Sequence, residues 1–297
     1  MQIPGIIGED VPPLKDPIMI AGFDGWGNAL NVSKAMAAYL IRNLDAVAFA
    51  RLDPDTYYRF DEHRPVVTIN DGQFRSILPP GGAFFAARTA TGQRDIIVLE
   101  AVEPDLNWYT FTDAVLKLCR QANVKTLFTL GSLYDNLLHT ERLVSGVSNN
   151  PDLAARLRDS GIQPISYQGP SAIHSVFLAE AGKHGIKNIS LWCHCPYYLQ
   201  GTTHFGQLLQ LARLLTELGG FDLDMADLEK GWTKFKDQID ELIENNSELQ
   251  QVVNDLHKRK TKGSIADLKN SLKPDEKVIR LQDFFDFGGT PPETSAD

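Results

Sequence analysis

Acidic and histidine side chains that could transfer protons come shortly after three of the apolar runs in the sequence. Asp24, Glu103 and His139 are the clearest cases. A carboxylate and an imidazole that face one crevice can act as general acid and general base, so Glu103 and His139 are the candidate catalytic residues. A structural interpretation stays open, because acids at a helix N-terminus are also stabilised by the helix dipole.

The turn at residues 22–28 carries three glycines and a tryptophan. Glycine permits positive φ and close approach of the backbone, and Asp24 or Asn28 can cap a following helix. Trp26 offers a large surface for packing or binding. The turn lacks the Gly-x-Gly-x-x-Gly fingerprint, and no Lys-Ser or Lys-Thr pair follows it as in a phosphate-binding loop. The sequence therefore does not support a nucleotide site, and we predict no cofactor.

Ser132 invites comparison with serine hydrolases, because His139 and several carboxylates follow it in the sequence. The surrounding residues do not form the Gly-x-Ser-x-Gly nucleophile elbow, and no spacing fixes a catalytic triad. We therefore favour a structural role for Ser132.

Cys193 and Cys195 flank His194 near the end of the last long apolar run. Because side chains alternate across a strand, the two thiols would lie on one face about 7 Å apart, with His194 on the other face. The sequence has no second cysteine pair that could complete a metal site. Small thiols in the core are the better interpretation, and we predict no metal site.

Short apolar runs that alternate with amphipathic stretches must position these side chains. The predicted strands are residues 17–23, 46–52, 65–69, 95–99, 124–130 and 189–192, and the predicted helices are residues 28–42, 108–122, 170–184 and 205–218. Several runs are apolar at nearly every position, which suits strands covered by helices on both faces, so we predict an α/β fold with a mainly parallel sheet. Residues 64–80 instead predict a β-hairpin around the Asn-Asp-Gly turn at 70–72. Gly185 and Gly219 lie where two helices should end.

In an open α/β sheet, ligands bind beyond the carboxyl ends of the strands, where loops converge. The residues predicted to bind a ligand or partner there are Gly22, Phe23, Asp24, Gly25, Trp26, Asn28, Glu103, Trp108, Gly131, His139, His194 and Tyr198.

The region from residue 221 onwards is richer in charge and predicts helices. Its apolar residues recur at spacings of four and three, the heptad pattern of a packed helix. The residues in this pattern are Leu228, Trp232, Phe235, Ile239, Leu242, Asn246, Leu249, Val253 and Leu256. One interpretation is a coiled-coil oligomerisation helix with Asn246 as a polar core residue. The other, which we favour, breaks the helix at residues 245–246 and restarts it with Ser247 as N-cap, giving a helical hairpin.

These patterns divide the chain into three parts. Residues 1–220 form the predicted α/β core domain, and residues 221–287 form a helical carboxyl-terminal region. Residues 288–297 have no core-forming pattern and are expected to be a mobile tail.

Charge and composition limit the classes of partner. A formal net charge of -9 at pH 7 argues against nucleic acid, which is bound by clustered Lys and Arg. No apolar run reaches the roughly 18 residues that span a bilayer, and the amino terminus lacks the features of a signal peptide. The three cysteines do not form a disulfide framework. We therefore expect a cytoplasmic protein that binds neither nucleic acid nor membrane.

Short blocks spread along the chain carry a family resemblance. They are Gly22-Phe23-Asp24-Gly25-Trp26 with Asn28, Asp53-Pro54, Tyr57-Tyr58, Arg64-Pro65, Glu103-Pro104, Trp108, Leu130-Gly131, His139-Thr140, Tyr167-Gln168-Gly169-Pro170, Leu191-Trp192 and Pro196-Tyr197-Tyr198. In this order they resemble the proteasome assembly chaperone 2 family. The resemblance implies a three-layer αβα fold similar to the nucleoside phosphorylase and hydrolase group, and assembly into homo-oligomers. The helical region around Trp232 also looks like the carboxyl part of longer bacterial members.

The same resemblance implies a function. The eukaryotic members chaperone the assembly of proteasome rings by binding subunits, without an established catalytic cycle, which implies a protein-binding, assembly-type function here. Those chaperones dock through a carboxyl-terminal hydrophobic-Tyr-x tail, whereas residues 294–297 read Thr-Ser-Ala-Asp, so we do not expect docking through a tail. The alternative function is a hydrolase- or phosphorylase-like small-molecule enzyme that uses the crevice near Asp24, Glu103 and His139.

Overall fold

The computed structural model describes residues 2–89, 94–261 and 279–280. The predicted tail at residues 288–297 lies outside the described residues, as does most of the predicted helical region beyond residue 261. Among the helices that the structure describes, none is both long enough and apolar enough to cross a bilayer.

The elements follow the alternating pattern of the sequence. The strands are β1 Ile6–Gly8, β2 Ile18–Asp24, β3 Val47–Leu52, β4 Val66–Asn70, β5 Gln73–Leu78, β6 Gly82–Ala87, β7 Ile96–Val102, β8 Thr126–Asp135, β9 Val144–Ser148, β10 Gln163–Pro164, β11 Lys187–Pro196, β12 Leu199–Gln200 and β13 Ile279–Arg280. The helices are α1 Val32–Asn43, α2 Pro54–Tyr57, α3 Trp108–Gln121, α4 Pro151–Asp159, α5 Ile173–Glu180, α6 Phe205–Gly219, α7 Ala226–Asn245 and α8 Ser247–Thr261, with 3-10 turns at Ala29–Asn31 and Ala181–His184.

One large sheet has the strand order β1-β3-β6-β7-β2-β8-β11-β9-β10. Its four central strands, β7, β2, β8 and β11, are parallel, as the apolar runs predict. Antiparallel pairs extend the sheet through β6, β3 and β1 on one side and through β9 on the other, so the complete sheet is mixed. The four central strands all end at one edge of the sheet, called the carboxyl edge below.

Alternating side chains of the central strands belong to two cores, one on each face of the sheet. Ile18 and Ile20 of β2 pack in the core formed with α1 and α6, whereas Met19 and Ala21 pack in the core formed with α3 and α5. Because all four are buried, β2 needs an apolar residue at every position. The predicted three-layer arrangement is therefore confirmed, and the implied likeness to nucleoside phosphorylases stays a prediction.

Both predicted helix ends are confirmed. Gly185 has a φ of +70° and ends the 3-10 turn after α5, and α6 ends at Gly219, with Gly220 following at a φ of +71°. Gly219 is the last residue of the helix, and a Cβ placed there would lie 2.9 Å from the side chains of Ile18 and Phe221. Gly219 is therefore required for close packing, and Gly220 for the left-handed backbone conformation that follows the helix.

Helices α7 and α8 form the predicted helical hairpin. Asn246 has extended backbone angles, φ −126° and ψ 107°, so the interpretation as one continuous coiled-coil helix is wrong. Its Oδ1 accepts hydrogen bonds from the N–H groups of Glu248 at 3.0 Å and Leu249 at 3.1 Å, so Asn246 caps α8 and the predicted cap, Ser247, does not. The apolar seam is buried in the core of α1 and α6 through Leu228, Phe235, Ile239, Leu249, Val253 and Leu256.

Strands β4 and β5 form the predicted β-hairpin, called the arm below. Asp71 and Gly72 make its two-residue turn with φ values of +50° and +73°, the geometry that an Asn-Asp-Gly sequence favours. Among the described strands, β4 and β5 pair only with each other. Every residue of both strands is exposed, so the arm lies outside both cores.

Candidate functional site

The turn after β2 occupies the centre of the carboxyl edge. Of the two predicted caps, Asp24 and Asn28, it is Asn28 whose Oδ1 accepts from the N–H groups of Ser33 at 3.0 Å and Lys34 at 3.3 Å in the first turn of α1, although the N-cap position of that helix is Asn31. Ser132 links the turn to β8, since its N–H donates to the Gly27 carbonyl and its Oγ donates to the Ala29 carbonyl, both at 2.8 Å. The Ser132 hydroxyl is buried and hydrogen-bonded to a backbone carbonyl, in keeping with a structural role.

Asp24 is held by neighbours within the same turn and helix. Its Oδ1 accepts from Asn28 Nδ2 at 3.1 Å, and its Oδ2 accepts from Lys34 Nζ at 3.0 Å. Burial would raise the pKa of Asp24, but the hydrogen bonds from Lys34 and Asn28 outweigh it and hold the pKa below its usual range. Asp24 therefore stays ionised near neutral pH and is unsuited to donate a proton.

Glu103 joins the turn to the beginning of α5. Its Oε1 accepts from the N–H of Ile173 at 2.8 Å, and its carboxylate also accepts from the N–H of Trp26. Burial raises its pKa, with these two bonds acting in the opposite direction. Gly25, at a φ of +128°, allows the close approach, because a Cβ there would lie 3.0 Å from the Glu103 Cβ. Glu103 thus acts as a brace between two loops.

His139 lies beneath α7 and has a different set of partners. Tyr198 Oη accepts from the His139 backbone N–H at 2.7 Å and lies 3.0 Å from His139 Nδ1. The Tyr198 O–H can therefore donate to Nδ1, which leaves Nε2 protonated to donate to Asp240 Oδ1 at 3.1 Å. Asp240 also accepts from Lys236 at 2.6 Å. This network joins the helical hairpin to the core.

The predicted acid–base pair of Glu103 and His139 does not form a direct contact among the hydrogen bonds of the described residues. Glu103 contacts backbone groups, and His139 contacts Tyr198 and Asp240. His139 is within reach of titratable groups, as an enzyme site would require, but only 4% of its surface is exposed. Burial lowers the pKa of His139 even though Asp240 acts in the opposite direction. A neutral, enclosed imidazole is suited to structural hydrogen bonding.

Four further predicted residues at this edge, Gly22, Phe23, Trp108 and Gly131, pack against neighbouring parts of the chain, whereas Trp26 is exposed. Phe23 is buried in the core of α3 and α5, and Gly22 and Gly131 lie where a Cβ would meet α1 and Trp192 respectively. Trp108 opens α3, and its Nε1 donates to the Pro104 carbonyl.

His194 is part of a Ser-His-Asp arrangement that spans three adjacent strands. Its Nδ1 lies 2.7 Å from Asp135 Oδ2, and its Nε2 lies 2.9 Å from Ser145 Oγ. The order of partners matches a hydrolase triad, in which the carboxylate orients the imidazole. Ser145 is 1% exposed, however, so its hydroxyl has no open path for a substrate. Asp135 follows Ser132 among the carboxylates that suggest a hydrolase, but Ser145 was not predicted, because no motif spacing connects it to His194.

Cys193 and Cys195 are buried in the core on the opposite strand face from His194. Burial raises the pKa of Cys193 to about 12 and that of Cys195 well above its usual range. Both thiols are therefore protonated and unreactive near neutral pH. Within the described part of the chain, no group of three His, Cys, Asp or Glu side chains could hold a metal ion.

Large apolar side chains remain exposed at the carboxyl edge. The aromatic rim, as we call it, comprises Trp26, Phe60, Leu106 and Tyr109, which are 64%, 38%, 42% and 68% exposed. Its backbone is held by hydrogen bonds, such as the one from the Leu106 N–H to the Tyr57 carbonyl at 3.1 Å. Sequence reasoning found only Trp26, because the other three belong to segments that read as ordinary loop or helix.

A cavity of about 530 Å³ lies away from this edge. Asn43, Arg88 and Phe221 are among the residues that line it. Asn43 is the last residue of α1, and Arg88 and Phe221 come after β6 and α6, at the opposite end of the sheet. The cavity therefore does not coincide with the predicted crevice.

Comparison with known proteins identifies relatives of the chain. Residues 19–243 match the sequence model of the PAC2 family, a range that contains the turn, Glu103, the arm and most of α7. No protein of curated function matches the chain.

Several solved structures are similar to this fold. A PAC2 family protein from Streptomyces avermitilis has 28% identity and a TM-score of 0.71, covering 80% of this chain and 100% of its own. A proteasome-assembly chaperone homologue from Mycobacterium tuberculosis has 28% identity and a TM-score of 0.72, covering 80% and 99%. A protein of unknown function from Mycobacterium tuberculosis has 25% identity and a TM-score of 0.78, covering 91% and 93%.

Proposed function

Because the chain belongs to the PAC2 family, we propose that it is a protein-binding, assembly-type protein that works as a homo-oligomer. The similarity to a proteasome-assembly chaperone homologue supports a role of this kind. The three buried, unpaired cysteines support a cytoplasmic location, because disulfides are rare in that compartment. We propose neither a cofactor nor nucleic acid as a ligand, in line with the net charge of -9.

The aromatic rim is the observation that carries the proposal. Aromatic side chains are enriched among the residues that dominate binding energy in protein–protein interfaces. Trp26 is held through its backbone N–H by Glu103, and Phe60 follows Arg59, whose N–H donates to Asp105 at 2.8 Å. A partner that covers the rim would therefore meet a surface that is already ordered, which lowers the cost of binding.

The polar residues at the same edge support binding over catalysis. The side chains of Asp24 and Glu103 accept hydrogen bonds that fix the turn and α5, and His139 is enclosed beneath α7. Groups that are fully used in holding the structure are poorly placed to exchange protons with a substrate. The arrangement of Asp135, His194 and Ser145 resembles an enzyme site, but the burial of Ser145 weighs against the alternative of a small-molecule enzyme.

A binding measurement tests the proposal. Protein partners would be captured from the native host by cross-linking and identified by mass spectrometry, and the affinity of each would be measured for the wild type and for a Trp26→Ser/Tyr109→Ser variant. We expect roughly 1,000-fold weaker binding by the double variant, since aromatic anchors contribute about 2 kcal/mol or more each and every 1.4 kcal/mol is about tenfold. Val47→Ser is the matched control, because Val47 is 70% exposed at the opposite end of the sheet. Equal affinities of all three proteins would contradict the proposed binding surface.

A further inference from the structure

Arg142 differs from three other arginines of the structure in having no anionic partner. Arg59, Arg94 and Arg213 each form an ion pair with a carboxylate, at 2.6, 2.7 and 3.2 Å. Arg142 is half-buried in the loop between β8 and β9, and no carboxylate among the described residues forms an ion pair with it. Its Nε–H is buried and has no hydrogen-bond acceptor in the same part of the chain. Leaving a charged, buried donor without an acceptor is costly, so the binding of an anion by Arg142 is favoured.

The indole ring of Trp232 on α7 holds the Arg142 guanidinium in place. The Arg142 Cζ lies 4.6 Å from the centroid of the ring. The ring stacks on His204 at 5.7 Å with an interplanar angle of 12°, and it packs closely on Gly206 of α6, where a Cβ would lie 2.7 Å from two of its carbons. A cation–π contact attracts the charge from one side, but it gives the N–H groups no acceptor. The guanidinium is therefore positioned and still able to donate.

Three carboxylates on the neighbouring elements bind other donors. Glu141, the preceding residue in the loop, accepts from the Leu138 N–H at 2.8 Å. On α7, Asp240 accepts from Lys236 at 2.6 Å, and Glu229 pairs with an arginine of α6 at 3.2 Å. None of the three forms an ion pair with the guanidinium over Trp232.

The surroundings of Arg142 disfavour its positive charge. Burial lowers the pKa of the Arg142 guanidinium, and the like charge of Arg213 on α6 lowers this pKa further. Both effects destabilise the cationic form, and a bound anion would counteract both.

We propose that Arg142, with Arg213 nearby, is a binding site for an oxyanion, the phosphate or carboxylate group of a small molecule. The fork of the Nε–H and one terminal N–H of an arginine can donate to two oxygens of such a group at once. The side chain of Arg142 remains partly exposed, so a small ligand can reach it from solvent. The site goes beyond the proposed protein-binding function, because no residue of the aromatic rim contributes to it.

Calorimetric titration tests the site. Inorganic phosphate and succinate are the two probes, each titrated at constant ionic strength into the wild type, Arg142→Gln and Arg120→Gln. Arg120→Gln is the matched control, because it makes the same charge change at an exposed arginine near the end of α3, on the other face of the sheet. Circular dichroism would confirm that each variant is folded.

We expect one saturable site per wild-type chain for at least one probe. Arg142→Gln should weaken this binding roughly 100-fold, because a bidentate pair consists of two charge-assisted hydrogen bonds, and Arg120→Gln should leave it unchanged. Tighter binding of phosphate would support the site and identify a phosphorylated ligand, whereas tighter binding of succinate would support it and identify a carboxylate ligand. No saturable binding of either probe by the wild type, or equal binding by Arg142→Gln, would overturn the site.

Urea unfolding separates a ligand site from a purely structural contact. Arg142→Met keeps an apolar side chain against Trp232 but removes the unpaired charge. Without either probe, its unfolding midpoint should therefore equal or exceed that of the wild type. Phosphate or succinate should raise the midpoint of the wild type and leave that of Arg142→Met unchanged. A lower midpoint for Arg142→Met, with no shift of the wild type by either probe, would overturn the proposal and leave Arg142 a role in stability alone.

Discussion

The carboxyl edge carries polar side chains that are hydrogen-bonded within the chain, whereas the arm carries apolar side chains that are exposed. At the carboxyl edge, Asp24, Glu103 and His139 could perform chemistry, yet each has its hydrogen-bonding capacity taken up by neighbours within the chain. In the arm, Ile69 and Phe74 have no chemical reactivity, yet they remain exposed and without a cover in the protomer. In this protein, exposed apolar side chains therefore indicate a binding surface better than potentially reactive side chains do.

Acid should destabilise the core and leave the arm unaffected. Burial lowers the pKa of His174 to about 4 and that of His204 to about 3. The unfolded chain, with histidine pKa values near 6.5, therefore binds more protons as the pH falls below 6.5, and stability declines with it. His174 alone should remove about 3 kcal/mol of unfolding free energy between pH 6.5 and pH 4, as measured by urea unfolding.

A free energy of unfolding that stays constant between pH 6.5 and pH 4 would contradict this, because it would mean that the two imidazoles are not buried in their neutral form.

Removing the imidazole beneath α7 should have the next largest effect. His139→Ala leaves Asp240 and Tyr198 without a shared partner and opens a gap in a buried network, so we expect a loss of about 2–3 kcal/mol in unfolding free energy. Guanidinium unfolding of the variant and the wild type at the same protein concentration would measure this loss. A variant with wild-type stability and an altered small-molecule affinity would instead favour a ligand-binding role for His139.

Glu103→Gln should produce a smaller loss of stability. The amide keeps one acceptor oxygen but has a single carbonyl to serve the N–H groups of Ile173 and Trp26. We expect a loss of about 1 kcal/mol in unfolding free energy, with partner binding preserved because the rim side chains are unchanged. If the wild type shows an enzymatic activity that Glu103→Gln lacks, and the stability is unchanged, Glu103 would instead be a catalytic carboxylate.

Phe74→Ser should have the smallest effect on protomer stability, within about 0.5 kcal/mol, because exposed side chains contribute little to folding. Thermal unfolding at concentrations below the self-association range would measure it. A large loss there would mean that Phe74 is covered by its own chain, and the arm could no longer be contrasted with the core.

Local sequence patterns predicted much of the fold. The apolar run of β2, the helical periodicity of α3 and α6 and the Asn-Asp-Gly turn of the arm all act over short distances. Strand β6, with the sequence Gly-Ala-Phe-Phe-Ala-Ala at residues 82–87, was missed because glycine and alanine favour strands weakly. The β-bulge of the arm was also missed, because the register of a strand pair depends on its partner.

The site was predictable only where its residues are neighbours in the sequence. The hydrogen bond from the Ser33 N–H to Asn28 acts over a few residues, whereas Asp240, the partner of His139, lies 101 residues away on a separate helix. Ser145 and Asp135 meet His194 only because β8, β11 and β9 are adjacent in the sheet. The sequence identified His139 and His194 as candidates, but it did not show that both ring nitrogens of each imidazole have hydrogen-bond partners within the chain.

The most direct test of the account is the mass of the native complex, purified from its own host under gentle conditions with any partners and ligands still bound. A protein that acts by binding and self-association should give a mass that is a whole multiple of the protomer mass, plus the mass of any bound protein partner. A monomer that carries a bound metabolite would contradict it.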